Sequence, residues 1–243
     1  MSKIYVVGIG PGEYEQMTIK AAEVLRSCDT IVGYTVYVKL VEDHFPGKEF
    51  LTTPMRKEVD RCIMAFEEAM KGKTVAMICS GDAGVYGMSG LMYEIGERYP
   101  EIEVEVVCGV TAAIGGAGVL GAPLIHDFCL ISLSDLLTPW EKIEKRLLNA
   151  AEADFGIVLY NPSSHKRHDY LQKACDLMLQ FKSPDTVCGT VVNIGREGET
   201  GTVMTLKELR DTQVDMFTTV FIGNSQTKNI NGKMVTPRGY RNV

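Results

Sequence analysis

A rhythm constrains this chain before any single motif does: short β-branched runs, several of them stopping at glycine, alternate with longer stretches of helical periodicity. Strand-like runs lie near Ile4–Val7, Thr30–Val32, Thr74–Ile78, Val104–Val107, Phe128–Ser132, Gly156–Leu159, Val187–Val192 and Thr219–Ile222. Amphipathic stretches at Thr18–Ser27, Lys57–Lys71, Val85–Arg98, Pro139–Ala150, Arg167–Gln180 and Leu206–Arg210 separate them. That alternation predicts an α/β architecture, because a helix between two strands covers the sheet while returning the chain for the next strand. The last third is denser in β signal, and "NIGREGETGTVMT" (Asn193–Thr205) predicts two strands joined by a turn. The shift predicts two α/β subdomains, 1–118 and 119–243, joined in the glycine-rich region near residues 115–125.

The 243 residues suffice for one large domain or two small ones. With 25 Lys+Arg against 31 Asp+Glu the net charge is −6, which argues against a nucleic-acid or anionic-membrane surface. An acidic ligand would need a local basic pocket. Seven cysteines (28, 62, 79, 108, 129, 175 and 188) are scattered with no C-x-x-C pair or Cys/His cluster, so they read as reduced core thiols and predict no protein metal site. Gly8, Gly10, Pro11 and Gly12 break the only early hydrophobic run, so no secretory signal is expected and a cytoplasmic protein is. The uncharged window Val106–Ile125 carries five glycines and Pro123, which predicts a strand end, a loop and a close-packed helix of small residues in place of a membrane span.

The opening "IYVVGIGPGEYEQMT" (Ile4–Thr18) runs a strand into glycines, as a dinucleotide-binding fingerprint does. It departs from that fingerprint in the loop and again at the next strand. Glu13 stands where the third glycine belongs, and Pro11 removes an amide from the cradle. The strand near Thr30–Val32 then ends in Gly33 and Tyr34 with no acid to hold a ribose. A second loop, "CSGDAGVYGMSG" (Cys79–Gly90), carries Asp82 as its only charge, either a helix cap or a ligand contact. A third, "GVTAAIGGAG" (Gly109–Gly118), places Thr111 at a helix start and leaves an Ala/Gly surface for close approach by a ligand or a neighbouring backbone. Glycine loops at parallel strand ends form the usual ligand crevice of an open α/β sheet.

In order and spacing, "GIGPG", "SGDAGVYG", "GVTAA", "LYNP" (Leu159–Pro162) and "NIGR" (Asn193–Arg196) resemble the tetrapyrrole methylases, S-adenosylmethionine-dependent enzymes of corrin biosynthesis. "HDFCLISLSDLLTPWEKIEKRL" (His126–Leu147), "YNPSS" and "TPRGY" (Thr236–Tyr240) resemble the branch of that family that methylates C17 of precorrin-3B or its cobalt counterpart. The resemblance implies two α/β domains with a cofactor cleft between them, a homodimer, and an S-adenosylmethionine site around Pro11, Ser80, Gly81, Asp82, Val85, Thr111, Ala112 and Asn161. S-adenosylmethionine has no phosphate, and its sulfonium favours carbonyl oxygens and acids, so Pro11 and Glu13 are compatible with it.

Methyl transfer from a sulfonium is an in-line displacement that asks mainly for positioning. The ring contraction implied by the family moves protons as well, which points to His126, Asp127 and Ser134 in the branch-specific stretch as catalytic candidates. The plain reading of His126 is a residue that only hydrogen-bonds a loop. Thr138, Pro139 and Glu141 match an N-cap, a first-turn proline and a capping box. A tetrapyrrole carries many carboxylates, so His165 and Arg167 of "SSHKRHDY" and Arg196 are the substrate-binding candidates, with Arg238 weaker; a solvated helix start is the plain reading of that run. Other readings stay open: a paralogue acting at another ring carbon, a nicotinamide-dependent oxidoreductase, and a non-catalytic small-molecule carrier.

Overall fold

The computed structural model describes residues 2–164 and 167–241. The chain forms two compact units, Met1–Ala112 and Ala113–Val243. Residue 118 lies inside the helix Ala112–Leu120.

The first unit runs β1 (Lys3–Gly8), α1 (Ile19–Ser27), β2 (Thr30–Tyr34), α2 (Thr35–Val38), β3 (Glu49–Thr53), α3 (Glu58–Met70), β4 (Val75–Cys79), α4 (Ser89–Gly96) and β5 (Glu103–Val107). Its five strands pair in the order β3-β2-β4-β1-β5, every neighbour parallel. Both faces are covered, which is why β1 and β4 read as continuous apolar runs. Ile4, Val6, Val75 and Met77 pack with Cys62, Phe66 and Met92 of α3 and α4 on one face. Val7, Ala76 and Ile78 pack with Ala21 and Leu25 of α1 and with Phe45 on the other. The edge strand β3, "EFLTT", is half exposed and therefore lacks the apolar run that marks its neighbours. Helix α4 starts at Ser89, so Val85–Met88, expected to be helical, belong to the preceding loop.

Continuing, α5 (Ala112–Leu120), β6 (Gly121–Ala122), β7 (Phe128–Ser132), α6 (Trp140–Glu152), β8 (Gly156–Tyr160), α7 (Tyr170–Met178), β9 (Val187–Val192), β10 (Thr200–Thr205), α8 (Leu206–Arg210), β11 (Thr218–Ile222), β12 (Lys228–Ile230) and β13 (Lys233–Val235) complete the chain. The main sheet of the second unit is mixed, β10-β9-β11-β8-β7, with only β7 and β8 parallel as neighbours. β12, β13 and β6 form a separate small sheet in the order β12-β13-β6. One face of the main sheet packs Ile157, Leu159, Val220 and Ile222 against Ile143, Leu147, Leu171 and Leu209 of α6, α7 and α8. The other face takes α5, and here the glycines are steric: a Cβ on Gly116 would stand 2.9 Å from Ile194 and Phe221, and one on Gly189 2.7 Å from Leu120.

Two local expectations are corrected. Pro139 is itself the N-cap of α6 and no side chain caps it; the complete capping box belongs to Thr205 and Glu208 at α8. "NIGREGETGTVMT" holds one strand, β10, whose partner is β9; Asn193–Glu199 is the turn between them. All seven cysteines are free, and five are buried, but Cys108 is exposed and so is not a core thiol. Burial pushes the Cys28 and Cys79 thiols up to about 11 and those of Cys62 and Cys175 to about 12. No helix among the described residues is long and apolar enough to cross a membrane.

Candidate functional site

The strand order of the first unit sets β4, β1 and β5 side by side. Because they are parallel, the three glycine loops leave one edge of the sheet together, where open α/β sheets bind ligands. The first two are stitched backbone to backbone: the Ile9 amide donates to the Cys79 carbonyl at 2.9 Å, Gly10 to Gly81 at 3.0 Å and Gly81 back to Gly10 at 2.7 Å. Gly10 (φ +80°) and Gly81 (φ +68°) occupy the left-handed region that this doubling back requires. The third loop lies against both. A Cβ on Gly8 would stand 2.7 Å from the Gly109 nitrogen and the Gly81 oxygen.

Asp82 reaches across this assembly. Its Oδ1 accepts from the Gly84 and Val85 amides at 2.8 and 3.0 Å, and its Oδ2 from the Gly109 amide at 2.9 Å. It does not cap α4, which begins at Ser89 after Met88. Pro11, Ser80, Gly81, Asp82, Val85, Thr111 and Ala112 therefore lie on loops that touch, or directly after them. Pro11 is buried, while Ser80, Val85, Thr111 and Ala112 are half-buried.

In the second unit the ladders decide which candidates meet. β7 and β8 are parallel, and β9, antiparallel to β11 as β8 is, points the same way. The segments after these three strands carry Ser134, Asn161 and Arg196 to one edge of the sheet. Asn161 sits at φ +52°, where asparagine is among the few residues tolerated, and its Nδ2 donates to Ser132 Oγ at 3.0 Å. Tyr160 Oη accepts from the Ala113 amide at 2.8 Å, fixing the start of α5 at that edge. Arg167 belongs there too: Nη1 donates to Ser134 Oγ at 2.8 Å and to Asp135 Oδ1 at 3.3 Å, and Nε to Ser164 Oγ at 3.0 Å. The Tyr170 hydroxyl donates to Asp135 Oδ2 at 2.7 Å, and that carboxylate raises the phenol's pKa above its ordinary value. His165 lies outside the described residues.

The structure does not bring His126 and Asp127 together with Ser134. His126 and Asp127 precede β7 and Ser134 follows it, so the strand, ~13 Å long at the usual rise per residue, stands between them. Asp127 instead uses its carbonyl to accept from the Gly156 amide at 3.1 Å at the start of β8. His126 Nε2 is enclosed with no hydrogen-bond partner among the described residues. Residue spacing in the sequence made this trio look contiguous; strand length separates it. Ser132 and Asp135, by contrast, escaped selection as partners because nothing local in the sequence pairs them with Asn161 and Arg167.

Residues 3–210 match the family described as Tetrapyrrole (Corrin/Porphyrin) Methylases. The chain is 47% identical to the probable cobalt-factor III C(17)-methyltransferase of Salmonella typhimurium, covering 97% of this chain and 98% of that protein. It is 38% identical to the precorrin-3B C(17)-methyltransferase of Sinorhizobium sp, covering 93% and 90%. The crystal structure of the methyltransferase CobJ matches with a TM-score of 0.90 at 33% identity, over 98% of this chain and all 100% of that one. With a family match across most of its length and relatives of this identity over nearly all of it, the chain belongs to the tetrapyrrole methylases.

Proposed function

We propose that this protein transfers a methyl group from S-adenosylmethionine to carbon 17 of a precorrin-3-type macrocycle, coupled to ring contraction, in cobalamin biosynthesis. The observation that carries the reading is the set of three interlocked glycine loops at the carboxyl edge of a parallel sheet, in a chain whose relatives bear C(17)-methyltransferase names. A diphosphate suits these loops poorly: the Ile9 and Gly10 amides are already given to Cys79 and Gly81, Pro11 has none, and exposed Glu13 stands where a third glycine would be. A cation without phosphate meets none of those objections.

In this reading the three loops of the first unit that carry Pro11, Ser80, Gly81, Asp82, Val85, Thr111 and Ala112 hold the methyl donor. Bound there, S-adenosylmethionine supplies the electrophilic methyl. The chain itself need only hold the acceptor carbon in line, which accounts for a substantial part of such a barrier. At the edge of the second unit, Arg167 and Arg196 receive carboxylates of the macrocycle in this reading; the bond from Arg167 to Ser134 Oγ supports a shared role for those two residues. His126 and Asp127, at the opposite end of β7, are left out of the reacting set. The working protein is a cytoplasmic homodimer in this reading.

Calorimetric titration with S-adenosylhomocysteine, with NAD as comparison, tests the class. Saturable binding of the first alone supports it, and binding of NAD alone returns the chain to the oxidoreductases. Binding without turnover marks a carrier, and methylation at a position other than C17 marks a paralogue.

A further inference from the structure

We infer that Asp82 is a positioning residue, not a contact residue: its carboxylate fixes the backbone of two loops so that their atoms, and not its own charge, meet the methyl donor. The inference rests on the functional reading above. Its basis is that both carboxylate oxygens are engaged by backbone amides, three bonds in all. Oδ1 takes the Gly84 and Val85 amides, which shapes the second loop, and Oδ2 takes the Gly109 amide 27 residues away in sequence, which ties that loop to the third.

The surrounding sterics make the tie matter. The Gly109 nitrogen approaches Gly8, and the space for a Cβ at Gly8 is closed by Gly109, Gly81 and the Asp82 Cα at 2.7 to 2.9 Å. Three main chains thus meet closely at these glycines, and Asp82 supplies a side-chain bond from the second to the third. Two opposed faces of donors need an acceptor on both sides, which only a carboxylate of this length provides. An amide keeps the size and the Oδ1 contacts but turns an N–H toward the Gly109 N–H.

The test pairs Asp82→Asn with Asp82→Ala in the full chain and reads two quantities: affinity for S-adenosylhomocysteine by calorimetry and hydrogen exchange at the Gly84, Val85 and Gly109 amides. In Asp82→Asn, Gly109 loses protection while Gly84 and Val85 keep it, and the ligand binds about tenfold more weakly, the size of one lost charge-assisted bond's effect on the site. In Asp82→Ala all three amides lose protection. Where the alanine variant does not fold, the asparagine variant decides alone. Weakened binding with Gly109 still protected overturns the inference, since Asp82 would then touch the ligand itself; so does unprotected Gly109 with unchanged affinity. Failure of the unaltered protein to bind S-adenosylhomocysteine at all removes the functional reading, and with it the ligand half of the inference, while the exchange pattern still decides the tie between loops.

Discussion

Gly109 lies so close to Gly81 that a Cβ on it would stand 2.2 Å from the Gly81 carbonyl oxygen, with the Gly8 carbonyl carbon at 2.6 Å. No rotamer relieves a clash between a Cβ and two main chains, so Gly109→Ala must move a loop. Overpacking of this kind costs roughly 1–3 kcal/mol, and urea denaturation will show that loss together with weaker S-adenosylhomocysteine binding. Gly90→Ala is the control: nothing lies within 4 Å of its Cβ position, and stability stays level or rises by roughly 0.5–1 kcal/mol in this helix.

His126 sits before β7, away from Ser134, with its Nε2 unpartnered among the described residues. A general acid or base contributes roughly 10²–10⁴-fold. His126→Leu is expected to retain methyl transfer and ring contraction within about threefold, far short of that loss. A fall of a hundredfold in single-turnover rate, with the fold intact, would bring the histidine back into the chemistry.

Arg167 is engaged by Ser134, Asp135 and Ser164, and Asp135 in turn by Tyr170. Arg167→Ala should raise the macrocycle KM by about tenfold, the scale of a charge-assisted bond, with little change in the KM for S-adenosylmethionine. Asp135→Asn removes the carboxylate that raises the Tyr170 phenol, so in an ultraviolet titration one tyrosine should shift back down toward 10.0.

Lys182 is a buried amine, its side chain 3% exposed, donating to the Phe155 and Gly223 carbonyls at 3.0 Å and to Asp154 at 3.5 Å. Desolvation lowers its pKa below the ordinary 10.5. Between the folded and unfolded values the unfolded chain binds more protons, so this group's contribution to stability rises as pH climbs through that window to 10.5. Lys182→Met leaves both carbonyls unpaired and should cost roughly 1–3 kcal/mol at neutral pH. The same variant should lose the upward slope attributable to Lys182 when urea midpoints are compared across the alkaline range.

Thiol labelling separates the cysteines. Cys108 is exposed, whereas burial holds Cys28, Cys62, Cys79, Cys175 and Cys188 protonated and inaccessible. One rapid equivalent of a disulfide reagent is expected at neutral pH, and Cys108→Ser should abolish it.

The sequence by itself determined the α/β class, the run of strands into glycines, and the family, because apolar periodicity and the tight-turn demand for glycine are local properties that residue order records directly. It could not record β3, whose half-exposed edge position needs no apolar run, nor the start of α4, where Asp82 draws the chain into a loop that Gly109 helps to hold. Tertiary structure alone decided what Asp82 does, since its partner lies across the sheet order and not along the chain. It decided also that Ser134, Asn161 and Arg196 share an edge while His126 does not. Strand direction and strand length, both properties of pairing, sort residues to opposite ends of a sheet however close they stand in sequence.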